Sequence, residues 1–471
     1  METSESGDSD SRFKKKFEFP HVVLILFGMT IIASILSYII PAGEFDRVEQ
    51  DGNTVVVEGT YKTVASNPPG LFDVFLAIPE GMIEGASIIF FILIVGGAFG
   101  ILLETKAIDA MLGKLTTVLG DKEIYLIPIF MLFFAIGGAT FGMSEEAIPF
   151  MLILVPLAIK IGFDSMTGAA IVLIGAHAGF TAAFINPFTV GVAQSIAEVP
   201  LFSGMGVRIV FWFIFVGISI GYVMLYAKKI KKDPEKSLMY KDDQKNFLGM
   251  DIQNQEARLS FRHILIIIVL GLTLIGLALG VTLLDWYVNE IAALFVIMGL
   301  LVGFIGKMKL NQIAENFIKG CESLVLGALV VGFAYSILIV LENSNTIDTI
   351  LHFSSTLISS WPGYLSAIGM FGIQSVLNFI VPSGSGQAAL TMPIMAPLAD
   401  LVGVSRQTAV LAFQMGDGIS NIVTPTSGAF MAALAVAKVP WVKWMKWIFP
   451  LIIIHYLLGA LFVTVAHVFL W

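Results

Sequence analysis

Residues 378–395 read NFIVPSGSGQAALTMPIM, and the segment PSGSGQ from Pro382 to Gln387 has the composition of a turn in a water-soluble protein. Apolar runs flank it, residues 364–381 before and 388–399 after. As a full membrane crossing the return arm of about 13 residues is too short, because at about 1.5 Å per residue it covers only ~20 Å of a ~30 Å hydrocarbon layer. A re-entrant hairpin fits better: the chain enters near residue 363, turns at PSGSG and leaves the same face by Asp400. Irregular backbone at membrane depth is tolerated only where protein or a water-filled cavity satisfies its N–H and C=O groups, so the turn is expected to line a site.

The remainder of the chain makes a bilayer the natural solvent. Of 471 residues, 57% are hydrophobic and 13% charged, against about 25% charged in a soluble domain. Apolar stretches long enough to cross occur near 21–40, 85–103, 166–195, 207–226, 263–284, 288–305, 322–341, 407–436 and 447–470, nine crossings in all. The first 18 residues are polar and end in a basic cluster; the apolar run after them exceeds a signal-peptide core and lacks an A-x-A site, so it reads as a retained first helix. Cys321, the lone cysteine, sits at the head of a predicted helix and excludes an internal disulfide or a cysteine metal site. With the N-terminus in the cytoplasm, all but four of the 27 Lys and Arg residues fall inside, the exceptions being Arg47, Lys62, Arg208 and Arg406. Trp212, Trp286, Trp361, Trp441, Trp444 and Trp447 fall at or near helix ends, where an aromatic belt places them or where they face lipid.

A polar segment from Lys228 to about Ser260 divides the chain, and similar text lies on both sides. AFGILLETKAIDAML (98–112) matches AYSILIVLENSNTIDTIL (334–351), TFGMSEEAIPFMLILVPLAIKIG (140–162) matches VPSGSGQAALTMPIMAPLADLVG (381–403), and AFINPFTVGVAQSIAEVP (183–200) matches NIVTPTSGAFMAALAVAKVP (421–440). The order is conserved while the threading runs the units in opposite directions, which is an inverted repeat of the kind secondary transporters use. The expected organisation is a cytoplasmic segment 1–20, repeat 1 at 21–226, a linker with the start of an extra helix at 227–262, and that helix with repeat 2 at 263–471. Repeat 1 then holds a cytoplasm-entering hairpin at about 123–161 and a broken helix at 166–195; repeat 2 holds the outside-entering hairpin at about 363–400 and a broken helix at 407–436. The fold class is an all-α polytopic membrane protein.

The breaks are read from Asn186-Pro187 and Thr424-Pro425, each in mid-span, where a capping side chain and a residue needing no N–H partner start a new half-helix. Ser144 and Ser385 look like caps on the returning hairpin arms. Four half-helix N-termini would meet near the midplane, each with about half a positive charge, attractive to a carboxylate.

Glu145, Glu146, His177 and Asp417 are the deepest titratable groups, and such residues inside a membrane are functional by default. Glu145 and Glu146 are adjacent and point about 100° apart on a helix, so one serves a ligand or merely complements the dipole. Asp417 is a substrate, proton or sodium contact, or a caged structural acid; His177 is a ligand or a packed hydrogen-bonding residue. HExxH, a nucleophile elbow and GxxxxGK[ST] do not occur, which speaks against hydrolysis and ATP-driven transport.

IIPAGEFDR (39–47), GGATFGMSEEAIPF (137–150), NPFTVGVAQSIAEVPLFSG (186–204) and the run from Val381 to Gly428 resemble the YfcC family of the ion-transporter superfamily. That family is related to anaerobic C4-dicarboxylate carriers, and some members are assigned as arginine/ornithine antiporters. The resemblance covers nearly the whole chain and implies a homodimer in the bacterial inner membrane whose hairpins and broken helices move as an elevator. It places the site at Thr140 to Glu146, Thr181 to Thr189, Val381 to Gln387 and Asp417 to Ser427. The expected substrate contacts are Thr140, Ser144, Glu145, Glu146, His177, Thr181, Asn186, Thr189, Asn378, Ser383, Ser385, Gln387, Asp417, Asn421, Thr424, Thr426 and Ser427. No cofactor, metal or nucleic acid is expected beyond sodium or protons as coupling ions. A basic amino acid suits both helix N-termini and carboxylates; the other reading is sodium- or proton-coupled transport of C4-dicarboxylates, other carboxylates, amino acids or peptides.

Overall fold

The computed structural model describes residues 22–470 apart from 51–52, 58, 112–113, 115–119, 248–258, 285 and 287. The basic N-terminal cluster lies outside the described residues, as does part of the linker.

The first half runs α1 (Val22–Ser37), α2 (Leu71–Glu84), α3 (Ala86–Glu104), α4 (Leu126–Phe141), α5 (Ile148–Lys160), α6 (Ser165–Thr181), the short α7 (Val192–Ile196) and α8 (Met205–Lys232). The linker holds α9 (Tyr240–Phe247). The second half runs α10 (Phe261–Leu283), α11 (Val288–Ile305), α12 (Leu310–Asn343), α13 (Ile347–Ile358), α14 (Gly363–Asn378), α15 (Gly384–Leu401), α16 (Arg406–Ser420), α17 (Gly428–Val436) and α18 (Trp441–Val465).

Six helices among the described residues are long and apolar enough to cross a membrane, and the protein is a multi-pass membrane protein. Five coincide with expected crossings; the sixth, Lys122–Thr140, falls on the arm expected to ascend to the first turn. Three expected crossings are shorter apolar helices, and 407–436 is two separate helices, α16 and α17. α12 starts at Leu310, well before the expected 322, so Cys321 lies inside it rather than at its head; its thiol donates to Leu93 O of α3 at 3.1 Å.

The helices pack in two groups. In one, α12 is the spine against which α1, α2 and α3 lie, with α11 on α3. In the other, α4 and α5 lie on α6, α14 and α15 on α16, and α7 against α15, with α8 and α18 alongside. The α12–α17 contact is the main seam between them.

The halves repeat in backbone detail. Left-handed residues occur at Lys106 and Asn345, at Gly162 and Gly403, and at Glu198 and Lys438, the same places in the matched text. Helix ends close alike: Phe163 N donates to Ala158 O (2.9 Å) and Val404 N to Ala399 O (2.8 Å), the six-to-one bond of a Schellman turn. Asp164 then caps α6 by accepting from Thr167 N (2.8 Å), and Ser405 caps α16 by accepting from Thr408 N (3.1 Å).

Two features depart from expectation. Residues 43–63 form short antiparallel ribbons, β1 (Gly43–Glu44) with β4 (Lys62–Thr63) and β2 (Arg47–Gln50) with β3 (Asn53–Val56), an addition to the all-α reading. Trp212, Trp444 and Trp447 are buried rather than belt residues. Trp444 and the half-buried Trp441 donate to Ile422 O (2.9 Å) and Val423 O (3.1 Å), carbonyls that the interruption between α16 and α17 leaves without helical partners, and Trp212 donates to Ala135 O (3.3 Å).

The linker is docked. Asp164 Oδ2 accepts from Tyr226 OH (2.7 Å) and Ser237 Oγ (2.6 Å), Asp243 Oδ2 accepts from Ser165 N (2.9 Å), and Asp242 pairs with Lys443. Burial, with Asp164 and Asp242 nearby, pushes the Asp243 carboxyl up to about 6.

Candidate functional site

The turn after α4 begins at Gly142, which ends that helix at φ 69°, a conformation glycine adopts without strain. A Cβ there would lie 2.7 Å from Asn186 Nδ2, so the turn is seated directly on the α6–α7 interruption. Asn186 Oδ1 accepts from Phe188 N (2.9 Å), while its Nδ2 is buried with no partner. The segment continues as a π-helical turn, Pro187–Gly191, that carries Thr189.

Thr189 reaches the other turn. A Cβ on Gly384, the first residue of α15, would meet Thr189 Cγ2 at 2.5 Å and Asp417 Oδ2 at 3.3 Å. The interruption in the first half therefore lies between both turns, and the second turn, Thr189 and Asp417 converge on one point. Thr189 Oγ1 and Asp417 Oδ2 are both buried without a partner among the described residues.

Around Asp417 the polar groups interlock. Its Oδ1 accepts from Asn421 Nδ2 (3.1 Å), and its backbone carbonyl accepts from Asn378 Nδ2 (3.2 Å), which also reaches Ser420 Oγ (2.7 Å) and Asn421 Oδ1 (3.0 Å). Gln387 Nε2 donates to Gln374 Oε1 (2.6 Å), and Gln374 Nε2 to Thr391 Oγ1 (2.9 Å). Gln414 Nε2 donates to Phe180 O (2.7 Å) and ties α16 to the end of α6. Asn378 Oδ1, Gln387 Oε1 and Gln414 Oε1 stay buried and unpartnered. Buried polar atoms are nearly always satisfied, so this many spare acceptors in one region mark a place where a ligand supplies donors.

Other expected residues are used locally. His177 Nδ1 is 3.0 Å from its own helix carbonyl, Leu173 O, which makes it the donor, and Thr181 and Thr140 hydroxyls donate to His177 O (2.7 Å) and Ile136 O (2.7 Å). Glu146 is buried and turns back, its Oε2 accepting from Ser144 N at 3.0 Å, while Glu145 is half-buried. Ser144 makes no side-chain cap; the Glu146 carboxylate instead accepts from the backbone N–H of Ser144 itself. On the other turn the cap is Ser383 rather than Ser385, Ser383 Oγ accepting from Gly386 N at 3.3 Å. Thr424 does not cap α17: its hydroxyl donates back to Ser420 O (2.8 Å), and α17 begins at Gly428 after Ser427. Thr426 Oγ1 donates to Phe379 O (2.8 Å), fastening this interruption to the end of α14.

Gln374, Thr391 and Gln414 were not anticipated, while Ser420 lies within the expected stretch from Asp417 to Ser427. The available signal was spacing: Gln374 precedes Asn378 by four residues and Gln387 precedes Thr391 by four, polar stripes on otherwise apolar helices.

A family model described as the C4-dicarboxylate anaerobic carrier, DcuC, matches residues 19–468. The chain belongs to the DcuC family. This DcuC-family transporter is 37% identical over 473 residues to YfcC of Escherichia coli strain K12, covering 92% of the chain and 93% of YfcC, whose assignment as a basic amino acid antiporter is provisional. It is 29% identical over 501 residues to a protein of Haemophilus influenzae strain Rd, covering 97% and 98% of the two chains. Among solved structures it is similar to the YdaH transporter of Alcanivorax borkumensis (16% identity, 96% and 99% coverage, TM-score 0.43). It is also similar to MtrF of Neisseria gonorrhoeae (17% identity, 97% and 96% coverage, TM-score 0.40). The resemblance to YfcC read from the sequence is borne out.

Proposed function

We propose that this DcuC-family carrier exchanges basic amino acids, arginine against ornithine, by alternating access. The observation that carries the reading is Asp417 Oδ2, a fully buried carboxylate oxygen with no donor, set beside the N-terminus of α15. A lone anion there is costly, and a cationic side chain relieves it with charge-assisted hydrogen bonds. The substrate's own carboxylate meets the free N–H groups and partial positive charge at the start of α15. The provisional assignment of YfcC as a basic amino acid antiporter agrees.

The inverted repeat belongs to the same proposal, supported by the paired left-handed residues and matched helix ends of the two halves. So do the re-entrant placement of both turns, the cytoplasmic N-terminus, the inner-membrane location and an elevator-type homodimer. Asp417 Oδ2 and Thr189 Oγ1 also fit a proton or sodium ion, which would neutralise the carboxylate when substrate is absent.

A second reading is favoured by the family description itself: coupled uptake of a C4-dicarboxylate. The two part on one measurement. In proteoliposomes loaded with ornithine, external labelled arginine should enter far faster than into empty vesicles, and succinate should not compete. An unpaired acid crosses the bilayer centre poorly, so the loaded carrier reorients more readily than the empty one. Gradient-driven succinate uptake with no arginine flux would replace the first reading with the second.

A further inference from the structure

A cavity of about 600 Å³ lies between the β-ribbon cap, the α12–α13 junction and the second turn, apart from the Asp417 centre. Its size is that of a small-molecule site. The cap is a fixed wall: Gly43 N donates to Asn345 O (2.9 Å), Phe45 N to Asp348 Oδ2 (2.9 Å), and Tyr61 stacks on His352 at 4.0 Å.

The charges in this cavity are unequally used. Arg47 Nη2 donates to Asp348 Oδ1 (2.8 Å) and Nη1 to Phe45 O (3.2 Å), which occupies two of the five guanidinium N–H groups and leaves three without a partner among the described residues. Asp348, buried and bonded twice, holds Arg47 in place. Glu44 is engaged by Lys62 at 3.3 Å. The Glu342 carboxylate has no ion-pair or hydrogen-bond partner among the described residues, and it lines the same cavity as Arg47, Ser383 and Ser385.

The cavity thus offers a guanidinium with three unused N–H groups, one free carboxylate and the hydroxyls of the turn that leads to Asp417. We propose that it is an antechamber which binds a zwitterion bearing an extra positive charge, its carboxylate on Arg47 and its cationic group on Glu342, before passage to the Asp417 centre. This rests on the basic-amino-acid reading above. A dicarboxylate matches it poorly, since its second carboxylate would face Glu342 with Lys62 already committed.

An antechamber on one face makes transport asymmetric under mutation. In right-side-out and inside-out membrane vesicles, Glu342→Gln and Arg47→Lys should each raise the KM for arginine roughly three- to tenfold for entry from the cap's face and leave entry from the other face unchanged. Arg47→Lys retains the charge facing Asp348 and so keeps the cap seated, while removing the fork. Equal effects from both faces, or none, would overturn the antechamber. Occupancy is read separately with Ser385→Cys in a Cys321→Ser, Asp417→Asn background. Arginine should protect the thiol from a hydrophilic maleimide, and Glu342→Gln should abolish that protection. Protection without wild-type arginine transport would sink the antiport reading and keep the antechamber. Arginine transport with symmetric KM changes and no protection would do the reverse, and the absence of both signals would overturn both.

Discussion

Replacing Asp417 by Asn should move stability and affinity in opposite directions. The isosteric amide retains the Oδ1 acceptor used by Asn421 Nδ2 at 3.1 Å, so that contact survives. At the other position a carboxylate oxygen with no donor among the described residues becomes a neutral amide nitrogen, so the mutant no longer buries an unpaired negative charge. Leaving a charged group buried without a partner costs more than leaving a neutral one, so the substrate-free mutant should be more stable than wild type by about 1–3 kcal/mol. The loss of a charge-assisted contact to a cationic side chain should cost about 2–3 kcal/mol of binding, roughly 30- to 150-fold in affinity. Thermal unfolding in detergent with and without arginine reads both effects. At a ligand concentration of about 100 times the wild-type Kd, linkage stabilises the wild type by about 2.7 kcal/mol, and a mutant weakened ~100-fold by only about 0.4 kcal/mol. A mutant less stable than wild type without ligand would show that Asp417 Oδ2 is satisfied in the folded protein. An undiminished arginine shift would show that the carboxylate does not meet the substrate.

Thr189→Val removes a hydroxyl that has no partner among the described residues, so the unfolding midpoint should hold or rise. Arginine affinity should fall about fivefold by titration, and unchanged uptake kinetics would place the hydroxyl outside the site. At the linker, the Asp243 carboxyl stands at about 6 because burial disfavours its charge. The folded form holds that proton more tightly than the unfolded chain, so this group's stabilisation is complete below about pH 4 and is lost as pH rises through 6. Asp243→Asn should flatten that segment of a midpoint-against-pH profile, and an unaltered slope would refute the assignment.

Much of this architecture was legible because the bilayer imposes simple rules on a sequence. Length and apolarity located most of the helices, and the matched text around 98–112 and 334–351 carries the same left-handed backbone at Lys106 and Asn345. Gly and Pro in mid-span located the interruptions, since only special backbone needs them there. The ribbons at residues 43–63 escaped because two- to four-residue strands leave almost no periodic signal.

The site divides along the same line. That Asp417, Asn378 and Asn421 are candidates for the site follows from polar residues at helical spacing in apolar surroundings, a property of the chain alone. Which atoms remain unsatisfied does not. Ser383 rather than Ser385 caps α15 because the turn's backbone aims that hydroxyl at Gly386 N, and on the first turn Glu146 folds back to accept from the Ser144 N–H. The approach of Thr189 from the first half to Gly384 and Asp417 of the second joins residues nearly two hundred or more positions apart. Composition and spacing determined what kinds of group this chain places inside a membrane; only helix packing decided which carboxylate oxygen was left without a donor, because satisfaction of a buried group depends on every neighbour at once.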